Sequence, residues 1–376
     1  MGEFILKTKI YTGENSCDKI HEFTIEKAFI FCDPFMLKSR KTDLIVSRLN
    51  EMNAQYQIFA DVVPDPDMRV IQKGLNQFNK FCPDTVFALG GGSAIDTAKA
   101  VVHLYTMMHQ ISRPQMIAIP TTSGTGSEVT SFAVISDHDA GTKYPLVDAA
   151  MIPDAVFLDP MLTATVPPAI TADTGMDVLT HALEAFVSIK ANDFTDAMAE
   201  KAMRTVWDYL ERCVTDGGDL AAREHMHNAS CMAGAAFNEA SLGICHSMAH
   251  ALGAQFHLPH GRCNAMLLPI IIEYNAGLIL QEGNDALLRY LEIARLLGIS
   301  AGTNQASVYA LVRQIRELMR RIGIPAHLSE LNIEKEKYIN AIDHMTESAL
   351  KDRCTVTNPR IPKAEHIKQM YMKLYG

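Results

Sequence analysis

The sequence predicts an α/β dinucleotide-binding domain with a parallel sheet, followed by an all-helical domain. Through about residue 160, short apolar segments rich in Val, Ile and Phe alternate with segments of helical periodicity. Such alternation is typical of βαβ units and a parallel sheet. After Val166 the chain consists of long amphipathic or apolar segments with almost no strand-like alternation. We therefore expect one domain over residues 1–165 and a second, all-helical domain over residues 166–376.

The first half contains segments that are typical of strands buried on both faces, because they are short, continuously apolar and bounded by Gly, Pro or Asp. These predicted strands are Lys27–Cys32, Gln57–Val62, Thr85–Leu89, Gln115–Ile119 and Val156–Leu158. Between them, the helical periodicity predicts helices over Leu44–Asn53, Asp67–Phe81 and Asp96–Met108.

The second half is predicted to be helical throughout because its apolar residues recur at helical spacing. The predicted helices are Ala172–Ile189, Asp193–Thr215, Leu220–Asn238, Gly243–Gln255, Asp285–Leu297 and Ala306–Ile322. No internal repeat and no low-complexity linker separates the halves, so we expect a close-packed hinge near residue 165.

Composition excludes several classes of function. The 376 residues are 48% hydrophobic and carry a formal net charge of −9, and no stretch concentrates basic residues as a nucleic-acid surface requires. The longest apolar runs, such as Ala265–Ile272, are far shorter than the ~20 residues of a membrane span. The eight cysteines show no CxxC pair, which is typical of reduced thiols. We expect a cytoplasmic protein with no nucleic-acid or membrane partner.

A glycine-rich turn follows the predicted strand at Thr85–Leu89. Gly90-Gly91-Gly92 would let backbone N–H groups approach an anion at a helix start, and Ser93 with Asp96 has the spacing of a capping box. This pattern favours a phosphate site. It is neither GxGxxG nor a Walker motif, so a strand-to-helix turn without a ligand stays open.

A second loop, Pro120–Thr130 (PTTSGTGSEVT), follows another predicted strand and consists largely of hydroxyls and glycine. Its donors suit phosphate and amide groups, and both loops are expected at the carboxyl ends of parallel strands, where such sheets bind ligands. An ordinary Ser/Thr/Gly loop remains the alternative. Asp33 ends the first predicted strand and could bind the adenosine ribose of NAD and repel a 2′-phosphate, or simply form an Asp-Pro turn.

The second half contains a pattern of metal ligands. Asp177 and His181 are four residues apart on one predicted helix, His246 and His250 repeat this spacing, and a His-Gly turn follows at His260. A single histidine on an apolar helix is more often a satisfied core residue. So many buried imidazoles, however, each need a partner, and this favours a metal. A nitrogen and oxygen set without thiolate suits a catalytic divalent ion with an open position.

Four ordered motifs resemble those of the iron-containing (group III) alcohol dehydrogenases. They are GGGSAIDTAK at Gly90–Lys99, PTTSGTGSEVT at Pro120–Thr130, GMDVLTHALE at Gly175–Glu184, and the segment His246–Pro269. The likeness extends from TKIYTGENS near the amino terminus to TNPR at Thr357–Arg360. Within the family it is strongest to members from propanediol-utilisation and ethanolamine-utilisation operons, notably in CDPFM, TGMDVLTHALEA and QFHLPHG.

The resemblance implies the dehydroquinate synthase-like fold of that family and a function for individual residues. The implied metal ligands, for Fe²⁺ or in some members Zn²⁺, are Asp177, His181, His246 and His260. The implied catalytic residue near nicotinamide and substrate is His250, whereas His257 has no assigned role and is interpreted as structural. The implied NAD(H) contacts are Asp33, Gly91, Gly92, Ser93, Thr122, Thr125, Thr130 and Lys143, to which the two loop motifs add Asp96, Thr121 and Ser127. The implied substrate pocket includes Phe237 and Cys354, with Phe132 where some relatives carry a polar residue.

The predicted function is therefore an NAD(H)- and metal-dependent alcohol dehydrogenase that interconverts short-chain aldehydes and primary alcohols, such as propanal and 1-propanol or acetaldehyde and ethanol. The operon resemblance implies that aldehyde reduction regenerates NAD⁺ for a partner aldehyde dehydrogenase, with the enzyme as a homo-oligomer in the cytoplasm or a bacterial microcompartment lumen. Two alternatives stay open. One is an NAD- and metal-dependent lyase or cyclase of the dehydroquinate synthase type, and the other is a non-enzymatic metal- and nucleotide-binding scaffold.

Overall fold

A computed structural model describes residues 4–137, 142–280 and 286–376, and their side chains apart from those of residues 137, 142 and 143. The chain divides into two compact units. Residues Ile5–Val166 together with Gly218–Gly234 form what we call the sheet unit, and Pro167–Gly217 with Ala235–Gly376 form the helical unit.

The described residues contain eight strands. They are β1 (Lys9–Thr12), β2 (Lys27–Cys32), β3 (Gln55–Phe59), β4 (Thr85–Gly90), β5 (Gln115–Pro120), β6 (Phe132–Asp137), β7 (Thr142–Val147) and β8 (Ala155–Leu158). Six of them form one sheet in the order β1-β8-β5-β4-β2-β3, in which every neighbouring pair is parallel. The predicted parallel sheet is confirmed, since all five predicted strands lie in it.

The register of the sheet fixes where the two predicted ligand loops begin. Every residue of β4 is buried, as is almost all of β5, because helices cover both faces of a parallel sheet. Gly90, the last residue of β4, pairs with Pro120, the last residue of β5. The glycine-rich turn and the Ser/Thr/Gly loop therefore leave the sheet side by side at its carboxyl edge.

Thirteen α-helices lie in the described residues. They are α1 (Pro34–Lys38), α2 (Asp43–Glu51), α3 (Met68–Phe81), α4 (Gly92–His109), α5 (Pro168–Val187), α6 (Asp193–Thr215), α7 (Leu220–Ala240), α8 (Ile244–Phe256), α9 (His260–Asn275), α10 (Leu287–Leu296), α11 (Asn304–Arg321), α12 (Lys335–Lys351) and α13 (Ala364–Tyr375). All nine predicted helices are present, and the described residues after 166 include no strand, so the predicted all-helical second half is confirmed. None of these helices combines the length and the apolar character needed to cross a bilayer.

The predictions miss several elements for identifiable reasons. β1 is an edge strand with mostly exposed side chains, so it lacks a buried apolar run. β6 and β7 form a separate antiparallel pair directly after the Ser/Thr/Gly loop. The predicted His-Gly turn at His260 is wrong, because His260 begins α9, which continues through Pro269. α9 was not among the predicted helices, and nearly all its residues are buried, so its sequence lacks an amphipathic period.

Candidate functional site

The four predicted metal ligands converge in the helical unit. Asp177 and His181 lie one turn apart on α5, His246 lies on α8, and His260 is the first residue of α9. Asp177 Oδ1 is 3.7 Å from His246 Nε2 and 3.6 Å from His260 Nε2, and Asp177 Oδ2 is 4.0 Å from His181 Nε2. One ligand atom each from Asp177, His181 and His246 lie within 4.8 Å of one another, close enough to share an ion.

A glycine allows α9 to approach α5. A Cβ atom at Gly261 would lie 2.2 Å from the carbonyl oxygen of Asp173 and 3.2 Å from the Cβ of Asp177. Real Cβ atoms do not come so close to backbone, so only glycine permits this approach. The position of His260, the neighbouring residue, depends on it.

Glu184, one turn beyond His181 on α5, orients His246. Glu184 Oε2 accepts a hydrogen bond of 2.5 Å from His246 Nδ1, and Oε1 accepts one of 2.7 Å from the backbone N–H of Cys245. Because a carboxylate only accepts, Nδ1 of His246 carries a proton, and Nε2 faces Asp177. A carboxylate behind the ring of a metal-binding histidine is the usual arrangement of such sites.

Asn264 lies among the same ligand atoms. Its Nδ2 is 2.7 Å from Asp177 Oδ1, 3.0 Å from His246 Nε2 and 3.1 Å from His260 Nε2. Asn264 Nδ2 therefore donates to Asp177 and lies at a point that the ligand atoms of Asp177, His246 and His260 surround. Glu184 and Asn264 were part of the quoted motifs but were not predicted as functional. The position of Glu184 three residues after His181 on one helix face was the available signal.

The electrostatics of this cluster favour a cation. Burial alone would raise the pKa of Asp177, but His181, His260 and His246 outweigh it and hold the pKa well below its ordinary range. Burial lowers the pKa of His246, whereas Glu184 and Asp177 together raise it to about 9. Two buried carboxylates thus draw positive charge into the cluster of imidazoles.

His250, the predicted catalytic residue, lies on α8 one turn after His246. Its ring stacks on that of His260 with the centroids 5.1 Å apart, and its Nδ1 is 2.8 Å from Asp352 Oδ2. Its side chain is 38% exposed. Phe237 and Cys354, predicted for the substrate pocket, are both buried in this unit, and the Phe237 ring stacks on His181 at 4.6 Å. His257 ends α8 with a left-handed backbone.

In the sheet unit, the amino terminus of α4 has no side-chain cap. The N-cap residue is Gly91, so the predicted capping box of Ser93 with Asp96 is wrong. Ser93 lies one residue inside the helix, and Asp96 instead accepts hydrogen bonds from Ser127 Oγ (2.6 Å) and from the backbone N–H of Val134 (3.0 Å). The first N–H groups of α4 thus lack a side-chain cap, which is the condition for binding an anion at a helix start.

The two loops pack tightly on each other. A Cβ at Gly91 would lie 3.2 Å from Thr122 Oγ1, and a Cβ at Gly92 would lie 2.8 Å from Thr125 Cγ2. The structure therefore brings both predicted hydroxyls against the turn at the start of α4. Thr121 follows β5 directly, and its backbone N–H donates to the carbonyl of Gly90 at 3.0 Å.

Lys99, a buried lysine of α4, holds the second half of the Ser/Thr/Gly loop. Its ammonium donates to the carbonyl oxygens of Ser127, Thr130 and Phe132. Burial lowers its pKa to about 8, against the opposing effect of Asp96 and Glu128. Lys99 was not predicted as functional, since its partners lie about 30 residues away and form no sequence pattern with it.

The remaining predicted residues occupy separate places. Asp33 caps α1, where its Oδ1 accepts from the N–H groups of Phe35 and Met36, while Oδ2 lies on the side of Gly90. Phe132 begins β6. Lys143 lies in β7, but its side chain falls outside the described residues.

Comparison with known proteins decides the family. A model of iron-containing alcohol dehydrogenases matches residues 7–160, and a model of the carboxy-terminal part of the Fe-containing alcohol dehydrogenase family matches residues 171–375. The chain belongs to the iron-containing alcohol dehydrogenase family. Its activity is that of an alcohol dehydrogenase, an oxidoreductase that interconverts alcohols and their carbonyl compounds.

Several relatives of this dehydrogenase match over its full length. It is 44% identical over 376 residues to 1-propanol dehydrogenase PduQ of Citrobacter freundii, covering 100% of both chains. It matches a crystal structure of 1,3-propanediol oxidoreductase with a TM-score of 0.92 and 32% identity, covering 100% of both chains. It also matches sulfoacetaldehyde reductase of Bifidobacterium kashiwanohense in complex with NAD⁺, with a TM-score of 0.87 and 27% identity over 100% of this chain and 98% of that one.

The donor set of the dehydrogenase fits the metal that the family name implies. One carboxylate and three imidazoles form an oxygen and nitrogen set that Fe²⁺ and Zn²⁺ both accept. The thiol of Cys245 points instead to the carbonyl oxygen of Asn264 at 3.5 Å. The ligand atoms that Asn264 contacts are those that a divalent ion would take.

Proposed function

We propose that the chain is an NAD(H)- and divalent-metal-dependent dehydrogenase that interconverts propanal and 1-propanol, with acetaldehyde and ethanol as further substrates. The observation that carries this proposal is the buried cluster of Asp177, His181 and His246 in a chain that is 44% identical over its full length to a 1-propanol dehydrogenase. The family match favours this function over the lyase and scaffold alternatives.

We propose that Asp177, His181, His246 and His260 hold the ion, with Fe²⁺ as the native metal and Zn²⁺ as its competitor. The ion would polarise the carbonyl oxygen of the aldehyde, and the reduced nicotinamide would supply the hydride. Glu184, which contacts Nδ1 of His246, would orient that ring so that its Nε2 could bind the ion. Because Phe237 packs on His181, its ring would limit the length of the substrate beside the ion.

His250 would exchange the proton of the reaction, since its partly exposed ring stacks on the ligand His260. In aldehyde reduction the product oxygen needs one proton, which His250 would supply directly or through a cofactor ribose hydroxyl. Cys354 and Phe132 are further proposed contacts of a small apolar aldehyde.

The cofactor would bind in the sheet unit, with its pyrophosphate at the amino terminus of α4. The uncapped N–H groups of that helix and the hydroxyls that pack on it support this proposal. Asp33 Oδ2 would accept from the adenosine ribose and disfavour NADP. The proposed contacts are Asp33, Gly91, Gly92, Ser93, Asp96, Thr121, Thr122, Thr125, Ser127, Thr130 and Lys143.

We propose aldehyde reduction as the working direction, which regenerates NAD⁺ for a partner aldehyde dehydrogenase of propanediol utilisation. The relative named PduQ supports this assignment. The enzyme would act as a homo-oligomer, in the cytoplasm or enclosed in a bacterial microcompartment.

The test is NADH oxidation with a series of C2 to C5 aldehydes, using protein produced anaerobically with Fe²⁺ and the same protein exchanged to Zn²⁺. We expect the largest kcat/KM with propanal or acetaldehyde and the higher activity with iron. Absence of turnover with every aldehyde in metal-loaded protein would refute the proposed function. Equal activity of the zinc protein would refute only the assignment of iron.

A further inference from the structure

The contact between His250 and Asp352 joins two parts of the helical unit that are 102 residues apart in sequence. His250 Nδ1 lies 2.8 Å from Asp352 Oδ2. An ionised carboxylate only accepts hydrogen bonds, so the ring proton lies on Nδ1. Nε2 is then the nitrogen of His250 that can gain and lose a proton.

Asp352 is itself held in a fixed orientation. It follows α12 and caps the short 3-10 segment Arg353–Thr357, where its Oδ1 accepts from the backbone N–H of Cys354 at 2.8 Å. The hydroxyl of Ser247 lies 3.3 Å from the same oxygen. Because Oδ1 is engaged in this way, Oδ2 is directed at His250. The Asp352 side chain is only 18% exposed, so water competes little for its contact with His250.

We propose that Asp352 is a positioning residue, which fixes the proton of His250 on Nδ1 and thereby makes Nε2 the nitrogen that exchanges a proton with the substrate side. This inference rests on the proposed function of His250. In aldehyde reduction the carbonyl carbon accepts the hydride of NADH, and the oxygen accepts the Nε2 proton of the doubly protonated His250 ring. This leaves a neutral ring with its proton on Nδ1, and Nε2 then takes up a proton from solvent. Asp352 touches neither substrate nor cofactor in this scheme. It resembles in logic the buried aspartate that orients the histidine of a catalytic triad.

The variant Asp352→Asn tests this directly. The N–H of Cys354 still requires an acceptor, so the amide oxygen takes the place of Oδ1, and the amide NH₂ then faces His250. It donates to Nδ1 and forces the ring proton onto Nε2. We expect kcat for aldehyde reduction to fall about 10²-fold, the usual contribution of a proton-transfer group, with KM little changed.

The matched control is Asp196→Asn in the same unit. Asp196 is also a partly buried carboxylate, which pairs with Arg289 through bonds of 2.7 and 2.8 Å and does not contact His250. Asp196→Asn removes the same charge as Asp352→Asn, and we expect the kcat of this control variant to equal that of the wild type. A similar loss in both variants would attribute the effect to general destabilisation and overturn the proposal.

A double-mutant cycle separates positioning from structure. If Asp352 acts through His250, then Asp352→Asn causes no further loss in a His250→Ala background. An equal loss in both backgrounds would overturn the proposal. Activity of Asp352→Asn equal to the wild type would do so as well.

The second readout needs no turnover. In zinc-loaded protein labelled with ¹⁵N-histidine, we expect the His250 ring to carry its proton on Nδ1 in the wild type and on Nε2 in Asp352→Asn. A wild-type ring protonated on Nε2 would overturn the inference even if the variant did not fold. The spectrum requires neither cofactor nor aldehyde. If the protein did not reduce aldehydes, this would therefore refute the proposed function, whereas the orientation of His250 by Asp352 would still be tested by the spectrum.

Discussion

Gly261→Ala should weaken metal binding without altering a single ligand. The added Cβ would lie 2.2 Å from the carbonyl oxygen of Asp173, where about 3 Å is the shortest distance that real Cβ atoms show. The two groups belong to the backbone of α9 and α5, so neither can rotate away. One helix must move by about 1 Å. His260 would move with α9, away from Asp177.

The size of the effect follows from this displacement. Metal to ligand distances tolerate only about 0.2 Å, so a shift of about 1 Å removes His260 from coordination. Changing only the residues that support the ligands of such sites lowers metal affinity about 10- to 100-fold. We expect the loss of His260 as a ligand to lower it by at least that much. Overpacking a core costs about 1–3 kcal/mol, and the reduced entropy of the unfolded chain offsets about 0.4–1 kcal/mol of it.

Two measurements check this prediction. Competition with a chelator gives the metal affinity, and calorimetry of the metal-free protein should show a Tm lowered by roughly 2–8 °C. The control is Gly302→Ala in the same unit, where nothing lies within 4 Å of the added Cβ. If Gly261→Ala matched this control in affinity and Tm, the close approach of α9 to α5 would not be what positions His260.

Three further predictions concern the groups that support the two sites. Asp33→Asn keeps an oxygen to cap α1 but replaces Oδ2 by an amide NH₂. The preference for NADH over NADPH, measured as the ratio of the two kcat/KM values, should therefore fall about tenfold or more. An unchanged ratio would mean that Asp33 only caps the helix. Lys99→Met removes the donor of three buried carbonyl oxygens, and each unsatisfied oxygen costs about 1–3 kcal/mol. We therefore expect calorimetry to show weaker NADH binding while the metal content stays the same. An NADH affinity equal to the wild type would contradict this. Glu184→Gln should lower metal affinity about 10- to 100-fold with NADH binding intact, and an affinity equal to the wild type would refute the orienting role of Glu184 towards His246.

The parts of the fold that the sequence predicts best are those in which burial repeats at a fixed period. β2 occupies Lys27–Cys32 as predicted, because its continuous apolar run is buried on both faces. Asp177 and His181 were placed together because residues four apart share a helix face, and this rule needs no tertiary information. The same rule paired His246 with His250.

Local signals failed where tertiary packing decides the local structure. The apolar run Ala265–Ile272 was not predicted as a helix, yet it lies in α9 together with Pro269. Ser93 has the spacing of a capping residue, but the helix begins before it, at Gly92, since Gly91 packs against Thr122.

The supporting residues of the two sites were not predictable from spacing. Asp352 and His250 are 102 residues apart, and Glu184 and His246 are 62 apart. Lys99 reaches acceptors 28 to 33 residues further along the chain. A sequence pattern records neighbours on one element, whereas these contacts exist only after the elements pack. Ligands can thus be predicted from one sequence more readily than the residues that orient them.

The glycines of the Gly90–Gly92 turn show how one motif can support two different conclusions. From the sequence, these glycines were interpreted as allowing the approach of a pyrophosphate. In the structure, a Cβ at Gly92 would lie 2.8 Å from Thr125 Cγ2 and one at Gly91 would lie 3.2 Å from Thr122 Oγ1, so side chains here would crowd the facing threonines. The packing of the two loops is therefore a second reason for these glycines, one that applies with or without a ligand. The uncapped start of α4 is the more specific evidence, because a helix end that lies beside hydroxyls and lacks its own cap has N–H groups to offer an anion.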